Sequence, residues 1–157
     1  MHISSVFVPH DQEEALDLAD RVVILDKGKI VQQGTPEEVC RHPANAFVMR
    51  FLGDTNALKA TVSNGKATVG NMTYAADGLK DGPAELLFRP TDVVWSSDAS
   101  KGVAAVIQRV LDRPGSRRVL ARTAGDTMVE FDASPDFAGS KGEQGFIEIL
   151  RPRLYEL

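Results

Sequence analysis

Beyond residue 53 the chain is a succession of short, β-prone, largely apolar runs: Ala57–Val62, Lys66–Val69, Met72–Tyr74, Glu85–Phe88, Val103–Leu111, Arg118–Thr123, Met128–Phe131 and Gly145–Leu150. Residues that favour turns separate them, at Asn64-Gly65, Asp77-Gly78, Asp81-Gly82-Pro83, Pro114-Gly115 and Gly125-Asp126. Many short strands punctuated in this way predict a mainly β fold, a small OB-like antiparallel barrel. Arg113-Pro114-Gly115-Ser116 suits a type II turn, because proline presets the second position and glycine tolerates the left-handed third.

The first 53 residues have a different rhythm. Ser5–Val8 is a short apolar run suited to a buried strand, ended by Pro9, which lacks the amide a central ladder would use. Asp11 and Glu14 have the spacing of a capping box, and Ala15, Leu16, Leu18 and Ala19 give the following helix an apolar face. Val22–Leu25 and Lys29–Gln32 read as strands joined through Asp26-Lys27-Gly28. Thr35, Pro36 and Glu38 form a helix start: a side-chain cap, a proline in the first turn and a reciprocal carboxylate. A further helix is predicted from about Asn45 to Leu52, stopped by Gly53. The predicted boundary lies at Gly53-Asp54, giving units 1–53 and 54–157. The elements of the first unit are few for a stable core, so they are expected to pack on the barrel, on a second copy, or on further sequence.

Composition narrows the classes. A chain of 157 residues with 43% hydrophobic and 25% charged residues fits a soluble globular protein. Its net charge of −4 argues against nucleic acid as a partner. The few aromatic residues are also not interleaved with basic ones as a base-stacking surface requires. A single cysteine, Cys40, excludes an internal disulfide framework and points to a reducing compartment; it is expected to be a small buried residue. No apolar run approaches the roughly 20 residues that span a bilayer, and the N-terminus lacks the features of a secretion signal. The expectation is a cytoplasmic protein. His2, His10 and His42 have no metal-ligand spacing.

His10-Asp11-Gln12-Glu13-Glu14-Ala15, followed by Ala19-Asp20-Arg21, resembles the end of the nucleotide-binding subunit of ATP-binding cassette (ABC) importers, from the switch histidine onward. The resemblance covers about fifty residues, Val6 to Phe51. It implies that His10 is the switch histidine, which contacts the terminal phosphate of ATP and helps hold the attacking water. Pro9 stands where the family usually has threonine, so one hydroxyl and one backbone amide are lost beside it. Neither Gly28-Lys29 nor Gly65-Lys66 belongs to a phosphate loop, which needs an earlier glycine and a following hydroxyl. In the family, the signature motif, the magnesium-holding acidic strand end and the catalytic glutamate would precede Met1. ATP and magnesium are therefore expected of a full-length parent, and this chain alone is expected to be inactive.

Phe51-Leu52-Gly53-Asp54-Thr55-Asn56, the run to Val62, and Phe88-Arg89-Pro90-Thr91-Asp92-Val93 resemble the accessory (TOBE-type) barrel that follows the ATPase core in such subunits. The layout is most similar to the sulfate or thiosulfate importer subunits. The resemblance implies a part that regulates or pairs subunits in oxyanion uptake, peripheral to the inner membrane. Its partners would be a second copy, the permease in the full-length parent, and a small oxyanion. The alternative is a free-standing oxyanion-binding regulatory barrel without ATPase activity.

Two groups of side chains could bind an anion. Arg89 and Asp92 could form a polar pair at the barrel rim, for an anion or a neighbouring subunit, or simply fix a strand end beside Pro90. Arg109, Arg113, Arg117, Arg118 and Arg122 bracket the Pro114-Gly115 turn. Guanidinium forks match tetrahedral oxyanions, so Arg89, Arg113, Arg117 and Arg118 are the anion-binding candidates; the plainer reading of the cluster is a solvated hairpin face.

Overall fold

The computed structural model describes residues 16–157. The run 5–8, Pro9, His10 and the Asp11 cap lie outside the described residues. The chain divides after Asp54 into two compact units.

In the first unit, β1 (Val22–Asp26) and β2 (Lys29–Gly34) form an antiparallel hairpin. Its turn holds Lys27 at φ 51 and Gly28 at φ 78, two successive left-handed residues whose twist matches that of the flanking strands. Helix α1 (Pro36–Arg41) starts as its sequence predicts. Thr35 Oγ1 accepts from the Glu38 amide at 3.2 Å, and the Glu38 carboxylate accepts from the Thr35 amide at 3.4 Å. Helix α2 (Ala46–Leu52) is capped by Asn45, which accepts from the Val48 amide at 2.9 Å. Gly53 does end it, but with φ 169, an extended residue rather than a left-handed cap. Gln32 holds the link between the helices, donating to His42 O at 2.9 Å and accepting from the Ala44 amide at 2.8 Å.

Val22, Ile24, Val39 and Val48 are the fully buried centre of this unit. The other face of the hairpin leaves Leu25 56% and Ile30 59% exposed, directly opposite one another. Cys40 corrects an expectation. Val39 fills the inward position of α1, and its neighbour, a quarter-turn or so around the helix, stands in solvent.

The second unit is built from ten strands in two antiparallel sheets. One sheet has β3 (Asn56–Ser63), β4 (Lys66–Val69), β5 (Met72–Ala75), β6 (Gly82–Phe88) and β12 (Arg153–Glu156), in the order β12-β6-β3-β4-β5. The other has β7 (Val93–Ser96), β8 (Val103–Arg113), β9 (Ser116–Thr123), β10 (Met128–Ala133) and β11 (Gln144–Ile149), in the order β10-β9-β8-β11-β7. Alternation makes the core: Leu58, Ala60 and Val62 of β3 face Ile107 of β8, Val119 and Ala121 of β9, and Phe131 of β10 within one buried cluster. This is a mainly β, OB-like antiparallel barrel. Gly115 turns the β8–β9 hairpin at φ 76, as the Pro114-Gly115 pair predicts.

Strands β7 and β12 went unpredicted. Each follows closely on a proline, Pro90 or Pro152, which reads as a break in the chain rather than as the approach to a strand.

Candidate functional site

Two asparagines join the sheets. The Asn56 amide donates to Glu130 O at 2.7 Å while its oxygen accepts from Glu130 N at 2.9 Å. The side chain thus occupies the place of a neighbouring strand on the edge of β10, and it is 8% exposed. Asn71, between β4 and β5, repeats the device on β8. It donates to Gly102 O at 2.8 Å and accepts from the Ala104 amide at 2.9 Å. At the β10 edge and at the start of β8, backbone groups thus gain side-chain partners from the other sheet, which ties the two sheets together.

Between the outer strands of the second sheet, β7 and β10, lies a hollow of about 260 Å³, walled by Val93, Trp95, Phe131, Ser134 and Phe137. Trp95 stacks on Phe131 at 6.0 Å, and Phe137 meets Phe131 edge-on. The indole donates to Glu143 Oε2 at 2.9 Å. Gly145 is required beneath it, since a Cβ there would stand 2.3 Å from the ring. Tyr74, by contrast, buries a hydroxyl with no hydrogen-bond partner among the described residues. Burial pushes its pKa up.

The arginines do not converge. Arg89 donates to Thr55 Oγ1 at 2.7 Å, and the Asp92 carboxylate accepts from Arg151 at 2.6 Å. Arg117 and Arg118 are successive residues of β9 and point to opposite faces. Arg117 donates to Asp112 at 2.9 Å and to Phe137 O at 2.7 Å. Arg118 bridges Asp132 at 2.7 Å and Glu130 at 2.9 Å. Burial pulls its pKa down, but the two carboxylates outweigh that and raise it. Arg113 is exposed and donates to the neighbouring Asp112 carbonyl at 3.3 Å. An oxyanion at Arg117 or Arg118 would have to displace a carboxylate. His10 lies outside the described residues.

A second concavity lies elsewhere. A groove of about 500 Å³ runs across β9, β8 and β11, with Ala104, Val106, Gln108, Arg122, Gln144 and Phe146 along it. Strand register brings these residues together, with Arg122 opposite Val106, Val106 opposite Gln144, and Ala104 opposite Phe146. A β-bulge at Gln108 bends β8 at one end. Of these six, only Arg122 stood among the residues singled out from the sequence. The others are ordinary strand residues, and only their register carries the signal.

No protein-family model matches the chain. It is 48% identical over 154 residues to the sulfate/thiosulfate import ATP-binding protein CysA 2 of Agrobacterium fabrum, covering 98% of this chain and 45% of that protein. Against the sulfate/thiosulfate import ATP-binding protein CysA 1 of Chromobacterium violaceum it is 45% identical, over 76% of this chain and 34% of the relative. The corresponding protein of Bradyrhizobium diazoefficiens is 35% identical over 99% of this chain and 46% of its own length. Among solved structures, the cytoplasmic molybdate-binding protein ModG aligns at a TM-score of 0.47 and 12% identity, over 63% of this chain and 94% of that one. The chain is thus related to the ATP-binding subunits of ABC import systems, and to the sulfate/thiosulfate importers among them. It spans about half the length of the curated relatives it matches. Those relatives are ATP-binding proteins. Among the described residues, no helix is long and apolar enough to cross a membrane.

Proposed function

We propose that this chain serves as the C-terminal regulatory and subunit-pairing part of the ATP-hydrolysing subunit of a sulfate or thiosulfate import system. The observation that carries the reading is the 48% identity that runs through both units, over 154 residues, rather than through the barrel alone. On this reading residues 1–53 are the end of the ATPase domain and 54–157 the accessory barrel. His10 is then the switch histidine at the terminal phosphate. The subunit would sit at the cytoplasmic face of the inner membrane, with a permease and a second copy as partners.

The described residues do not fit ATP or magnesium. They hold no phosphate loop, and no three carboxylate, histidine or cysteine side chains come together to hold a metal. Nucleotide and magnesium would be held by the rest of such a subunit. The exposed pair Leu25 and Ile30 supports the same view, since a hairpin with one bare apolar face gains stability when further structure covers it.

A segment exchange tests the proposal. The matching segment of the Agrobacterium fabrum protein is replaced by this chain, and sulfate-dependent growth and uptake are measured in a strain lacking the native subunit. Uptake by the chimera is the expected result. A chimera that accumulates to normal levels and hydrolyses ATP yet moves neither sulfate nor thiosulfate would overturn it.

A further inference from the structure

We propose that the groove across β9, β8 and β11 is a binding site for a small organic anion with an apolar, flat body. The inference is independent of the importer reading. At about 500 Å³ the groove lies within the size range of small-molecule sites. Its composition follows the same pattern: an apolar floor of Ala104, Val106 and Phe146, with a few polar side chains that can fix orientation. The lining contains one cation, Arg122, and no carboxylate. Charge complementarity therefore selects an anion.

Arg122 is available for exchange. It holds Asp126 at 2.6 Å, but the pair is 49% and 78% exposed, and water screens such a bridge strongly. A sulfonate or carboxylate seated on the apolar floor would meet the same guanidinium in a less hydrated place, where a forked pair is stronger. Gln108 and Gln144 each offer an amide donor and acceptor to the ligand's edge. Arg122 and Gln144 flank Val106 from opposite sides, so they stand two strand spacings, roughly 10 Å, apart. Phe146, two residues along from Gln144 on the same face, provides the stacking surface. A two-ring aromatic body with one acidic head group matches that span. An inorganic oxyanion would meet Arg122 alone and leave the floor bare.

Calorimetric titration of the chain with 1-naphthalenesulfonate, 1-naphthoate and inorganic sulfate tests the assignment. The single tryptophan, Trp95, gives a second readout from behind the groove, because its ring packs against Gly145 on the core face of the sheet. Saturable one-to-one binding of a naphthyl anion is expected, with no saturation by sulfate at the same concentrations. Arg122→Gln should weaken it about tenfold, the loss of one charge-assisted contact. Val106→Glu, which puts a carboxylate into the floor, should abolish it. A preference between the two naphthyl anions would identify the head group. Absence of saturation with both would overturn the site, as would unchanged affinity in both variants or equal affinity for sulfate alone.

Discussion

The hairpins β1–β2 and β8–β9 are both antiparallel, turn through a left-handed glycine and bury one apolar face. They differ on the opposite face. On β1–β2, Leu25 and Ile30 stand opposite each other in solvent. On β8–β9 the outward apolar residues Val106 and Leu120 are half-buried and bordered by Arg109, Arg122 and the paired Arg118. On this hairpin the barrel borders its outward apolar residues with charged side chains, and Asn56 closes the β10 edge. The first unit does neither on this face of its hairpin. A completed sheet and an uncovered one can share the same strand chemistry; what separates them is whether the second face has polar cover.

The sharpest way to break that contrast is to open the barrel's seam. Asn56→Ala removes both side-chain partners of the Glu130 backbone on the β10 edge, leaving a part-buried donor and acceptor to water. A loss of about 1–2 kcal/mol is expected in urea unfolding, the low end of the cost of two orphaned groups, because both are only part-buried. A loss below the precision of the measurement would mean water replaces the amide and the seam is not closed by it.

Tyr74 is the barrel's own exception, a finished core with one unpartnered hydroxyl. Tyr74→Phe removes that group without changing the packing, so the variant should be equal to the parent or more stable by up to about 1 kcal/mol. The same residue sets an alkaline limit. Burial raises its folded pKa above the unfolded value, so the folded state holds the proton more tightly. Its contribution is fully present below the unfolded pKa, about 10, and is lost as pH rises through the folded value. The alkaline limb of the stability curve should flatten in Tyr74→Phe. A steeper limb in the variant would contradict the assignment.

The smallest expected effect is on the bare hairpin. Leu25→Lys places a charge where the side chain is already 56% exposed, so the melting temperature of the chain should hold, within about 0.5 kcal/mol of stability. In the segment-exchange chimera the same substitution should impair assembly. Equal tolerance in both settings would show that nothing covers this face.

Much of the barrel was legible in advance because strand content and turn chemistry are local. The run Lys66–Val69 coincides with β4, and Val103–Leu111 lies inside β8. Thr35 and Glu38 announced their helix for the same reason, a box closed within four residues. Cys40 was misplaced because one helical step decides between core and solvent, and composition does not resolve one step. The arginines around the Pro114-Gly115 turn looked like one cluster because they are close in sequence. Alternation along β9 sends Arg117 and Arg118 to opposite faces, where each finds its own carboxylate.

By itself the sequence determined most of the strands, their turns, the capped start at Thr35 and the kinship with importer subunits, all of which depend on residues within a few positions or on motif order. Only the tertiary structure decided how Asn56 meets Glu130, 74 residues away, and how Arg122, Val106 and Gln144 come to line one groove. Such contacts depend on register between strands distant in the chain. Register is set by the whole core packing at once, and no short window of residues contains it.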